Sequence, residues 1–82
     1  MAELRDELID LIADEALIER SKLAPEATLA DLGLDSVGVV SVVFAVEEKY
    51  GVEIGEDAFK DVTDFGAFLA VLEGVVEAKR AA

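Results

Sequence analysis

The chain of 82 residues contains no cysteine and no histidine. The first absence rules out a disulfide, a thiolate metal site and a cysteine nucleophile. The second removes the commonest general base and the commonest metal ligand. Positive charge is scarce: 7 Lys and Arg stand against 19 Asp and Glu, for a net charge of −12. Such a surface repels nucleic acid and anionic lipid, and favours partners with basic patches and divalent cations. A net charge this negative also argues for a monomer. No long hydrophobic run is present either. The longest near-continuous apolar stretch, residues 37–46, is broken by Gly38 and Ser41 and is too short to span a bilayer. No basic segment followed by an apolar one and a small-residue cleavage site opens the chain, so a cytoplasmic protein without membrane insertion is expected.

What is present supports one small domain, residues 1–82, with a hydrophobic content of 54%. A chain of this size buries only about 60% of the surface its unfolded form exposes, so modest stability is expected. Residues 3–19 place Leu4, Leu8, Ile9, Ile12, Ala16 and Leu17 at helical spacing, with acids between them. Residues 20–34 lose that pattern. Pro25 disfavours a helix interior, and Gly33 supplies a backbone angle closed to other residues. A loop of about fifteen residues is long enough to suggest a role of its own. Leu23, Leu29, Leu32 and Leu34 are expected to pin it to the core.

Residues 37–50 pose a conflict. VGVVSVVFAV is rich in β-branched residues and taken alone reads as a strand. It continues through Ala45, Glu47, Glu48 and Lys49, which are better helix formers, and stops at Gly51, a natural C-terminal cap. No second strand is available to satisfy its backbone. Helix is therefore expected. Residues 56–61 suit one short helix carrying Ala58 and Phe59. A last helix opens at Thr63 or Asp64 and runs through Phe65, Phe68, Leu69, Leu72 and Val76, with Lys79 and Arg80 suiting its C-terminal dipole. The sum is an all-α fold, a small four-helix bundle of three main helices plus one short one, with a long loop between helices 1 and 2.

The stretch LGLDSVGVV puts Ser36 where the loop gives way to the second helix. A serine nucleophile needs a base and a group to orient it, and with no histidine the base must be lysine or carboxylate. Asp35 and Val37 do not make a G-x-S-x-G elbow. Catalysis is not expected. Asp35 suits a helix cap, accepting a backbone N–H one or two positions in. That same geometry sets the Ser36 oxygen at the positive end of a helix dipole, where an esterified phosphate is favourably placed. No metal site is expected. Asp31, Gly33 and Asp35 miss the calcium-loop pattern, because the twelfth position from Asp31 is Val42 and not glutamate.

At these residues the chain resembles the acyl carrier proteins. The likeness runs in order through an acidic amphipathic helix, the loop LAPEATLADLGLDS, a helix ending VEEKYGVEI, a short acidic helix and a last helix opening at VTDFGAF. The resemblance implies that Ser36 receives 4′-phosphopantetheine from coenzyme A through a phosphopantetheinyl transferase. Acyl groups then ride on the arm's thiol as thioesters, and the protein contributes placement and recognition. It implies acyl-processing partners, such as acyltransferases and synthases with basic patches, serving fatty acid or specialised lipid synthesis. Asp35, Glu47 and Glu48 match partner-facing acids, while Glu53, Glu56 and Asp57 are weaker candidates.

Two positions depart from the family pattern, since Gly38 and Ser41 stand where an acid is common and Val39 is unusually apolar. A close apolar contact with partners through Val39 and Val40 is therefore expected along the first half of this helix. Val40, Val43 and Phe44 are candidates for an interior cleft that shelters an acyl chain. Two alternatives remain at this level. One is a polyketide, peptidyl or aminoacyl carrier, against which Leu34-Asp35 before the serine counts. The other is an acidic, non-catalytic interaction module.

Overall fold

The computed structural model describes residues 3–81, with the side chains of Glu3 and Glu56 outside that description. Three α-helices carry the fold: α1 (Glu3–Ala16), α2 (Ser36–Tyr50) and α3 (Phe65–Ala81). Two 3-10 turns, Arg20–Lys22 and Glu56–Phe59, lie in the connections. The short fourth helix expected over residues 56–61 is the second of these turns, so the fold is three-helical. Four residues between Gly55 and Lys60 are too few for a helix to recover its nucleation cost.

Side-chain contacts fix the directions. Tyr50, the last residue of α2, donates its hydroxyl to Glu7 of α1, and the guanidinium of Arg80 near the end of α3 lies 5.6 Å from the Tyr50 ring centre. Arg5 pairs with Glu73 at 2.6 Å. α1 therefore runs opposite to α2 and α3, and packs on both. The starts of α2 and α3 share the other end of the molecule.

The core is continuous. Leu4, Leu8 and Ile12 of α1 meet Val42 and Val46 of α2 and Phe65, Phe68, Leu69, Leu72 and Val76 of α3. The α3 stripe read from the sequence is buried in full. The first helix stops three residues earlier than expected. Leu17 turns left-handed at φ 56° and the Ile18 N–H closes on the Ala13 carbonyl at 3.1 Å, which is a Schellman termination. Leu17 thereby leaves the apolar stripe and is 91% exposed.

The loop between α1 and α2 is strapped to the start of α3. The Leu29 N–H donates to the Thr63 carbonyl, the Phe65 N–H to Ala27, and the Gly66 N–H to Pro25, all within 3.0 Å. Leu23 and Leu34 are buried and Leu29 and Leu32 half-buried, as pins of the loop. Gly33 takes φ +73° and Gly51 φ +65°, so both glycines supply the left-handed conformation that their turns require. The Gly51 N–H bonds the Glu47 carbonyl and ends α2. At the other end of the strap, the Asp64 carboxylate caps α3 by accepting the Ala67 N–H at 2.8 Å.

Candidate functional site

Ser36 is exposed and is the first residue of α2. Asp35 before it has extended backbone, and its carboxylate accepts the Gly38 N–H at 2.8 Å. That donor is the third helical residue, one position deeper than the sequence suggested. The Asp35 carbonyl takes the Val39 N–H at 2.9 Å. The N–H groups of Ser36 and Val37 are left with no acceptor among the described residues. A reachable hydroxyl, two free donors and the positive end of a helix dipole suit a phosphate ester on the Ser36 oxygen.

Beside Ser36 runs a cleft of about 590 Å³. α2 lines it with Ser36, Val39, Val40, Val43, Phe44 and Glu47. The facing wall comes from Leu29 of the strapped loop and from Ile54, Gly55 and Phe59 after α2. Phe59 is held by its ring, 5.0 Å from that of Phe68 in α3. Val40, Val43 and Phe44 all border this cavity. The facing wall is not legible in the sequence, because Leu29 and residues 54–59 belong to two separate connections that meet only in the fold. The single local signal was Ile54, an apolar residue in a polar connection.

The acids are distributed unevenly. Asp35 and Glu48 are exposed, as are Glu53 and Asp57. Glu47 is half-buried and its carboxylate accepts the Ile54 N–H at 2.8 Å. That bond engages one oxygen of the Glu47 carboxylate. No charged residue lies between Asp35 and Glu47 in a chain that is otherwise dense in acids. Val37, Val40 and Phe44 are instead 71%, 51% and 62% exposed, with Ser41 among them. Val39 is half-buried against the core, so Val40 is the outward member of the Val39–Val40 pair. A Cβ on Gly38 would make only ordinary contacts, with Leu34 at 3.4 Å and Asp35 at 3.5 Å. Packing within the chain therefore gives no reason for a glycine there.

Comparison with known proteins bears on the same residues. The family described as Phosphopantetheine attachment site matches residues 6–72. Acyl carrier proteins of Helicobacter pylori strains G27 and HPAG1 are each 32% identical over 71 residues, 85% of this chain and 91% of the relative. The family match spans the loop, Ser36, α2 and the first eight residues of α3, and carries with it a covalent 4′-phosphopantetheine group. Among the described residues no helix is long and apolar enough to cross a membrane. With the attachment signature and this extent of identity in hand, the chain belongs to the acyl carrier protein family.

Proposed function

We propose that Ser36 is the attachment residue, with Asp35 fixing the turn that presents it. The observation that carries this is the exposed Ser36 hydroxyl at the leading end of α2, beside free N–H groups and lining an apolar cleft. When bound, the prosthetic group supplies a thiol that holds acyl groups as thioesters. The chain's own residues anchor it, neutralise part of its phosphate charge through the helix terminus and offer the acyl chain a dry wall. Val40, Val43 and Phe44 form the α2 side of that wall. The protein is a carrier and not a catalyst: the carboxylate next to Ser36, that of Asp35, is engaged by the Gly38 N–H and serves as a helix cap.

A phosphopantetheinyl transferase loads the chain, and acyltransferases and synthases then act on its cargo in fatty acid or specialised lipid synthesis in the cytoplasm. Asp35 and Glu48 steer basic patches toward the two ends of α2. Val40, with Val37 and Phe44, makes the apolar contact between them, and Val39 supports it from beneath. Glu47 contributes less to steering because its carboxylate is already engaged. Where the family has a short acidic helix, this chain has the turn Glu56–Phe59, whose Phe59 lines the far side of the cleft.

The test is intact mass after co-expression with a broad-specificity phosphopantetheinyl transferase. The wild type gains the mass of one phosphopantetheine and Ser36→Ala gains none. A Ser36→Ala protein that is still modified overturns the assignment.

A further inference from the structure

The cleft is apolar along its length and polar at its two ends. α2 borders it from Ser36 in the first turn to Glu47 in the last, eleven residues, which is roughly 16 Å along the helix axis. Val39, Val40, Val43 and Phe44 lie between. At the far end the Glu47 carboxylate accepts the Ile54 N–H, and both residues line the cavity. That bond needs an acceptor and nothing more, so a neutral amide would serve it. A carboxylate has acceptor sites beyond the one that Ile54 uses, and it carries a charge.

We infer that Glu47 sets the length limit and the chemical class of the cargo: acyl chains of limited length whose distal end carries a hydrogen-bond donor, a hydroxyl or an amino group. The inference rests on the reading of the cleft as an acyl shelter. A saturated chain lying in the cleft gains with each methylene that leaves water, until its end reaches Glu47. Past that point further methylenes strip water from a charged group without replacing its hydrogen bonds, which opposes the gain. A donor at the chain's end replaces the lost water with a charge-assisted hydrogen bond. An amino group does so with opposite charge and is favoured most.

The test uses the full chain loaded at Ser36 from coenzyme A thioesters with a graded series of saturated acyl groups. The same lengths bearing a terminal hydroxyl or amino group form a second series. Thermal midpoints are read against the protein carrying the arm alone. For saturated chains the midpoint rises with length and then levels or falls. At the length where it levels, the amino-terminated chain raises it by a further few degrees. Glu47→Gln keeps an acceptor for Ile54, moves the plateau to longer saturated chains and abolishes the amino preference. A saturated series that climbs without limit, or a Glu47→Gln profile identical to wild type, overturns the inference and leaves the cleft reading in place. If no acyl group of any length shifts the midpoint, the cleft reading fails and this inference falls with it.

Discussion

The Tyr50 hydroxyl closes α2 onto α1 by donating to the Glu7 carboxylate across 2.9 Å. Partial burial, and then this donation to a carboxylate, push the phenol up to about 12, against a smaller downward pull from Arg80. In the unfolded chain a tyrosine titrates near about 10. Between those two values the unfolded chain releases the proton while the folded chain keeps it, so rising pH favours unfolding. The contribution is intact below about pH 10 and is lost as pH passes through about 12. With 1 Tyr and no Trp in the chain, tyrosinate absorbance reports this residue alone. The expected titration midpoint is about 12 for the folded protein and near 10 in denaturant. Tyr50→Phe removes this component of the alkaline loss of stability. A folded-state midpoint near 10 would contradict the contact.

Two glycines of α3 have opposite surroundings. Gly74 is exposed in mid-helix, and a Cβ there meets nothing within 4 Å. Gly74→Ala should raise unfolding stability by about 0.5–1 kcal/mol. Gly66 stands in the first turn, where a Cβ would come within 3.1 Å of the Pro25 carbonyl oxygen and 3.3 Å of its Cβ. That oxygen already accepts the Gly66 N–H, so the strap cannot retreat without losing a bond. Gly66→Ala should therefore destabilise by about 1 kcal/mol or more, overpacking exceeding the helix-propensity gain. Urea midpoints for the two variants should move in opposite directions.

Leu17 holds a left-handed backbone with its side chain in solvent. A left-handed conformation costs a side-chain-bearing residue roughly 1–2 kcal/mol, and Leu17 gains no burial in return. Leu17→Gly gives part of this back as unfolded-state entropy. The net expectation is a stabilisation of about 0.5–1 kcal/mol, read as a higher thermal midpoint. A lower midpoint would mean that the α1 terminus is held by something other than this turn.

The uncharged face of α2 bears on partner encounter. Loading of Ser36 by a broad-specificity phosphopantetheinyl transferase should depend weakly on salt, because Asp35 and Glu48 are the exposed acids nearest to that face. Gly38→Asp with Ser41→Glu should make kcat/KM fall several-fold more steeply as ionic strength rises from about 0.01 M to about 0.15 M, where the screening length drops from roughly 30 Å to 8 Å. Equal slopes for wild type and variant would remove the apolar-contact reading.

Local chemistry made much of this legible. α2 is helical despite its β-branched content because Asp35 caps one end, Gly51 ends the other and the described residues offer no strand to pair with it. The α3 stripe from Phe65 to Val76 is a 3.6-residue period and needs no tertiary information. Ser36 was found as an accessible hydroxyl at a helix start. Other features depend on contacts distant in sequence. Glu47 reads as a surface acid until the Ile54 N–H is seen on its carboxylate. Leu17 continues an apolar pattern by spacing, and nothing local says that the backbone reverses its twist there. The bridge between Thr28 and Asp64 joins residues thirty-six apart and leaves no periodic trace.

That bridge region has a mechanical consequence. Three main-chain bonds rivet the segment ahead of Ser36 to Thr63 and the first turn of α3, so tension on an arm attached at Ser36, as proposed, would be borne by the interior beneath it. The serine is mounted on a buttress and not on a slack tether.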